Sequence, residues 1–181
     1  LDELTAIKDR TQLSIGKIKN VFITESFADR EGIVRIGLIS ASDFLNTINA
    51  HLPASFLRSL KPEFMLGVHM QSGNNPFLIL KTGFYENAFA GMLEWEREIK
   101  EDLAPLFGPA DFDLISNENF GTSAPPSTAP TFSDFVMKNK DVRILKDNDG
   151  EIALLYSFID KNTIVITTNE NTFSEVLTRL H

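Results

Sequence analysis

The chain has 181 residues, 43% of them hydrophobic and 23% charged, enough to bury a substantial core in one domain. Its formal net charge of −8 and pI near 4.9 argue against nucleic acid and anionic membrane surfaces, since no basic stripe exists to release counterions. With no cysteine, disulfides, thiolate metal sites and a cysteine nucleophile are excluded, and no apolar run reaches the roughly 20 residues that span a bilayer.

In chain order, Leu1, Leu4 and Ile7 recur at helical spacing and predict a short N-terminal helix. The runs VFITES and IVRIGLIS predict two strands joined at Asp29–Gly32, where the glycine suits a tight turn. Ser40 or Ser42 caps an expected helix from Asp43 to Ala50, with Phe44, Leu45 and Ile48 inward. Pro53 opens a second helical piece, Ala54 to Leu60, and Pro62 closes it. Phe64 to Met70 and the apolar Phe77–Leu80 form a hairpin across Gln71–Asn75.

The long helix predicted next begins at Tyr85. Its apolar residues fall at Tyr85, Ala88, Phe89, Met92, Trp95, Ile99 and Leu103, steps of three or four that draw one stripe. Pro105 and Gly108-Pro109 stop it. Ala88 and Gly91, beside the stripe, let the helix sit close against a sheet. Residues 111–130, rich in Pro, Ser, Thr and Ala, read as an exposed loop or linker inside a single domain spanning 1–181. Ser133 caps an expected short helix DFVMKNK. The strand Val142–Lys146, an Asn-Asp-Gly turn, two further strands and a terminal helix Thr172–Leu180 complete the chain.

Two stretches share a pattern. Glu86-Asn87-x-Phe89-x-x-Met92-Leu93 and Glu170-Asn171-x-Phe173-x-x-Val176-Leu177 each follow strand, polar turn and strand. Ordinary capping chemistry at a helix start accounts for the Glu and Asn; an internal duplication is the competing account. The expected fold is therefore α+β: an antiparallel sheet of about six or seven strands built from repeated ββα units, with helices packed on one face.

Motifs that carry chemistry are sparse. No GxSxG, P-loop or GxGxxG occurs. His51, His69 and His181 lack HxH or HxxxH spacing, and His69 in FMLGVHM is expected to end a strand with its ring half exposed. Asp147–Gly150 resembles the start of a calcium loop, but Phe158 stands where the bidentate glutamate belongs, so a β-turn is expected. Trp95 on the stripe reads as core. Nothing in the sequence points to a cofactor or a metal.

The phrases FMLGVHMQSGNNPFLILKTGFYENAFAGMLEWE and ALLYSFIDKNTIVITTNENTFSEVLTRL resemble an uncharacterised family of bacterial proteins that carry an N-terminal membrane anchor before a soluble domain of this kind. The resemblance covers roughly residues 18–107 and 131–181. It implies a single-pass, membrane-anchored protein whose soluble domain, this chain without its anchor, is extracytoplasmic. The family has no established activity, so no catalytic residue carries over.

Two functional readings follow. The first is a non-catalytic domain that binds another envelope protein; it requires a contiguous exposed apolar patch. The second is an enzyme or small-ligand receptor whose site is assembled from distant loops. It requires Arg58, His69, Tyr85 and Glu86 to converge on one pocket.

Overall fold

The computed structural model describes residues 14–71, 73–108 and 131–180. The expected N-terminal helix and the 111–130 loop lie outside the described residues.

Nine strands and five helices are described. They run β1 (Ile18–Val21), β2 (Thr24–Ala28), β3 (Val34–Leu38), α1 (Ala41–Thr47), α2 (Ala54–Ser59), β4 (Leu60–Met70) and β5 (Asn74–Thr82). Then come α3 (Tyr85–Trp95), α4 (Ile99–Phe107), β6 (Ser133–Met137), β7 (Lys140–Lys146), β8 (Ile152–Asp160), β9 (Thr163–Thr167) and α5 (Glu170–Leu180). Seven strands form one sheet in the order β1-β4-β5-β9-β8-β7-β6, every pair antiparallel, while β2 and β3 form a separate ribbon. The α+β class and the antiparallel sheet are as the sequence predicts.

Successive strand residues point to opposite faces, and the central strands are apolar on both. Leu78, Leu80, Ile164, Ile166 and Tyr156 share one face with Phe44, Phe56, Met92, Trp95 and Leu103 of α1 to α4. Phe77, Ile79, Val165 and Leu155 share the other with Phe173, Val176 and Leu177 of α5. The expectation of helices on one face thus holds for four helices and is corrected for the fifth. A run such as TIVIT, buried at every position, demands cover on both sides.

That correction also separates the two ββα successions. The order β4-β5-β9-β8 is related by a two-fold axis normal to the sheet, an operation that keeps each helix on its own face. Because α3 and α5 take opposite faces, no rotation superimposes the units. Matched positions differ accordingly: Phe89 is exposed while Phe173 is fully buried.

Other expectations are corrected locally. The single helix from Tyr85 breaks after Trp95 and resumes at Ile99, with Pro105 inside α4 and Gly108, at φ 85°, ending it. Gly91 approaches α2, not the sheet: a Cβ there would lie 2.5 Å from Phe56 Cβ. Pro62 falls within β4. The segment DFVMKNK is no helix but β6 and a hairpin turn, in which Lys138 and Asn139 both adopt positive φ, 52° and 59°; that pair of angles marks the type I′ turn that joins twisted strands. Ser40 is the α1 cap, its Oγ accepting the Asp43 N–H at 3.1 Å.

Candidate functional site

The apolar run from Val21 divides in two. β1 joins the main sheet beside β4, and after Phe22 and Ile23 the chain leaves it as β2. In the ribbon, Thr24 faces Leu38, Ser26 faces Ile36 and Ala28 faces Val34. Paired residues share a side, so one side presents Val34, Ile36 and Leu38 with small side chains and no charge. These three are 70%, 74% and 66% exposed, and Phe22 nearby is 74% exposed. The reverse side carries Glu25, Phe27 and Arg35, with the Phe27 ring over Gly37.

The ribbon is fixed at both ends. At its tip, Asp29 Oδ1 accepts the Glu31 and Ile33 N–H groups at 3.0 and 2.9 Å, and Oδ2 accepts Arg35 Nε at 2.6 Å. The Arg35 guanidinium, with those amides, holds the Asp29 carboxyl below the usual carboxylate range. At its base, Val21, Ile23 and Ile39 pack on the core, lining a hollow of about 420 Å³ with Phe64 and Pro62. A two-stranded ribbon is marginal in water on its own; this one, packed on the core at its base, holds the uncharged face of Val34, Ile36 and Leu38 toward solvent.

A second surface lies across the molecule, where α3 stops short of the β6 end of the sheet. A groove of about 830 Å³ runs between Tyr85, Phe89 and Leu93 of α3 and Val136, Asp141, Arg143 and Phe158 of the strands. Tyr85 meets Phe158 edge-on with ring centroids 5.2 Å apart, and Phe89 lies 5.8 Å from both. One wall is an ionic network. Arg143 donates to Glu96 through Nε and Nη2 at 2.7 and 2.8 Å and to Asp134 through Nη1 at 2.8 Å. Tyr156 donates its hydroxyl to Glu96 at 2.7 Å; burial and then this carboxylate push its ionisation far above the usual tyrosine value.

The third cluster ties α4 to the segment after α1. Asp102, 5% exposed, accepts the Trp95 Nε1–H at 2.7 Å and the His51 backbone N–H at 2.8 Å on Oδ2, and its Oδ1 lies 2.8 Å from His51 Nδ1. The Asp102 hydrogen bond and charge raise the His51 pKa. His51, Glu98 and Asp102 form a ligand-type grouping within 4.8 Å. However, the Nδ1–Oδ1 contact is already a hydrogen bond, so the pair reads as a tether. Sequence spacing could not reveal it, because its members stand 51 residues apart.

The four residues expected to converge do not. Arg58 is exposed on α2 and Glu86 is exposed on the first turn of α3. Tyr85 lines the groove on one sheet face, whereas His69 lies on the other. Its ring is buried, not half exposed, with Nδ1 3.0 Å from Thr172 Oγ1 of α5, and burial lowers its pKa. Thr172 is fully buried, so this contact holds α5 to β4. His69 lines a hollow of about 500 Å³ with Gln71 and Glu175, which brings in none of the other three.

No helix among the described residues is long and apolar enough to cross a membrane. No family model matches the chain, no curated protein matches it, and no solved structure matches it.

Proposed function

We propose that this domain is non-catalytic and docks a separate protein of the bacterial envelope through the Val34, Ile36 and Leu38 side of the β2–β3 ribbon. The observation that carries the reading is that face: three large side chains, each about two-thirds exposed or more, with no charge among them. Contiguous apolar exposure of this kind marks interaction surfaces. A lipid occupant fits poorly, because the ribbon tip that would enter a bilayer is Asp29-Arg30-Glu31. The resemblance to membrane-anchored bacterial proteins supports an envelope partner. The separation of His69, held against α5 on one sheet face, from Tyr85 and Glu86 of α3 on the other weighs against the enzyme or receptor alternative.

The test is photo-crosslinking in intact cells from a probe at Ile36, with a control probe at Arg35 on the reverse side. The expected result is one protein adduct from Ile36 alone, abolished by Val34→Asp. Equal adducts from both sides, or adducts to lipid only, would overturn the proposal.

A further inference from the structure

The geometry points to a second binding site that goes beyond the ribbon: β6 accepts an added strand, an extended peptide segment alternating basic and apolar residues, laid along its free edge beside the aromatic groove. β6 ends the seven-stranded sheet and pairs only with β7, from Ser133 opposite Ile144 to Met137 opposite Lys140. Its outer backbone N–H and C=O groups therefore meet no strand among the described residues. Sheet edges are ordinarily blunted by charged side chains, above all lysine, by proline or by a bulge. SDFVM has no lysine, proline or bulge, and its one charge, Asp134, is drawn to Arg143 of β7. The opposite edge, β1, carries an exposed lysine, Lys19.

The side chains on β6 specify the segment. On the groove side, Val136 stands beside Asp141, and Asp134 beside Arg143. Arg143 is already matched by Glu96 and Asp134, and Lys140, also in the groove lining, donates to the Ile159 carbonyl at 2.7 Å. Asp141 is exposed and has no ion pair among the described residues, while Asp134, 91% exposed, gives Arg143 only Oδ1. A lysine or arginine aligned with Val136 lays its aliphatic stem on that side chain and carries its charge to Asp141. A second basic residue, two positions along, reaches Asp134. The residue between them falls on the other sheet face beside Phe135, itself 55% exposed, and is apolar.

Strand addition thus supplies main-chain hydrogen bonds, and alternate side chains supply specificity. The net charge of −8 favours the approach of such a segment. It disfavours a second copy at this edge, which would bring Asp134 and Asp141 of both chains together.

The experiment is fluorescence anisotropy of a labelled synthetic peptide of alternating lysine and valine, titrated with the full chain, alongside backbone amide shifts. The control has the same composition with its lysines in one block. The alternating peptide is expected to bind at least about tenfold tighter than the control, with amide changes centred on Ser133–Met137; N-methylation along one peptide edge removes hydrogen bonds and weakens binding about tenfold. Asp141→Asn weakens it about threefold at low salt and less at high salt, whereas Ile36→Asp leaves it unchanged, separating this site from the ribbon. Equal binding of both peptides, changes centred on β1 or the ribbon, β6 amides protected by dimerisation without peptide, or no binding would each overturn the proposal.

Discussion

Replacing Gly91 by alanine sets two known effects against each other and measures how closely α2 and α3 are docked. Alanine in a helix interior is favoured over glycine by about 1 kcal/mol, so an undocked helix gains stability. In the folded chain the added Cβ would lie 2.5 Å from Phe56 Cβ and 2.8 Å from Phe56 Cα and N. Carbon atoms pack best at about 3.5–4.0 Å, so the two helices must separate by about 1 Å. No rotamer change relieves this, because the opposing atoms are backbone and Cβ. Phe56 is fully buried with its ring 5.5 Å from that of Trp95, so moving α2 disturbs the core beneath. Overpacking of this kind costs about 1–3 kcal/mol, which exceeds the propensity gain at its upper half and leaves a net loss of about 1–2 kcal/mol. For a domain of this size that lowers the melting temperature by about 2–8 °C. Thermal and urea unfolding followed by circular dichroism read the change, with Asn87→Ala on the exposed side of α3 as a control that gains stability. A melting temperature raised by Gly91→Ala would refute the close docking.

Asp102→Ala leaves the buried Trp95 N–H without its acceptor and should cost about 2–4 kcal/mol in urea unfolding; an unchanged midpoint would remove Asp102 from the tether. The pKa of His51 is raised in the fold by Asp102. Its stabilising contribution is therefore fully present below the ordinary histidine value and is lost as pH rises through the raised one. Melting temperatures should fall across that window in the parent and less in Asp102→Asn, so parallel profiles would count against the pair. Tyr156, held far above its usual pKa by burial and Glu96, should be missing from an alkaline absorbance titration until the fold opens; its early ionisation would contradict the Glu96 contact. Lys138 and Asn139 adopt positive φ, where Asn-Gly is preferred, so the double change Lys138→Asn, Asn139→Gly should stabilise by about 1 kcal/mol. A loss would mean that the turn is not type I′.

Legibility in the sequence followed the range of the interaction that decides each element. The cap of α1, narrowed to Ser40 or Ser42, the stop at Gly108 and the turn at Asp147–Gly150 are local and legible, whereas Pro105, also read as a stop, lies inside α4. The β6–β7 hairpin is hidden in the sequence because a type I′ turn built from Lys-Asn lacks its glycine signal, while Ser133 before DFVMKNK has the form of a helix cap. The break at residues 96–98 was hidden because the apolar stripe continues through it: Trp95, Ile99 and Leu103 are all buried, on two helices instead of one. For the sites, alternation at Val34, Ile36 and Leu38 was visible but has the same appearance as a strand with a buried side. Nothing in the local sequence announces that the ribbon leaves the sheet. The Asp102 tether and the Arg143 network join residues 51 and 47 positions apart, beyond any motif.

The division of labour across the sheet explains why binding surfaces and core separate cleanly. β5, β8 and β9 carry apolar residues on both faces, covered by α1 to α4 on one side and α5 on the other. Among the described residues helical cover gives out toward β6, and the ribbon lies outside the sheet altogether. Exposed apolar side chains at those places contribute little to folding, since their burial awaits another surface. Substitutions there should therefore change association with melting temperature nearly constant, as surface changes ordinarily do. A change in Phe77, whose ring fills the space a Gly67 side chain would need, must do the reverse: it opens the centre of the sheet, and both surfaces are lost with the fold that holds them apart.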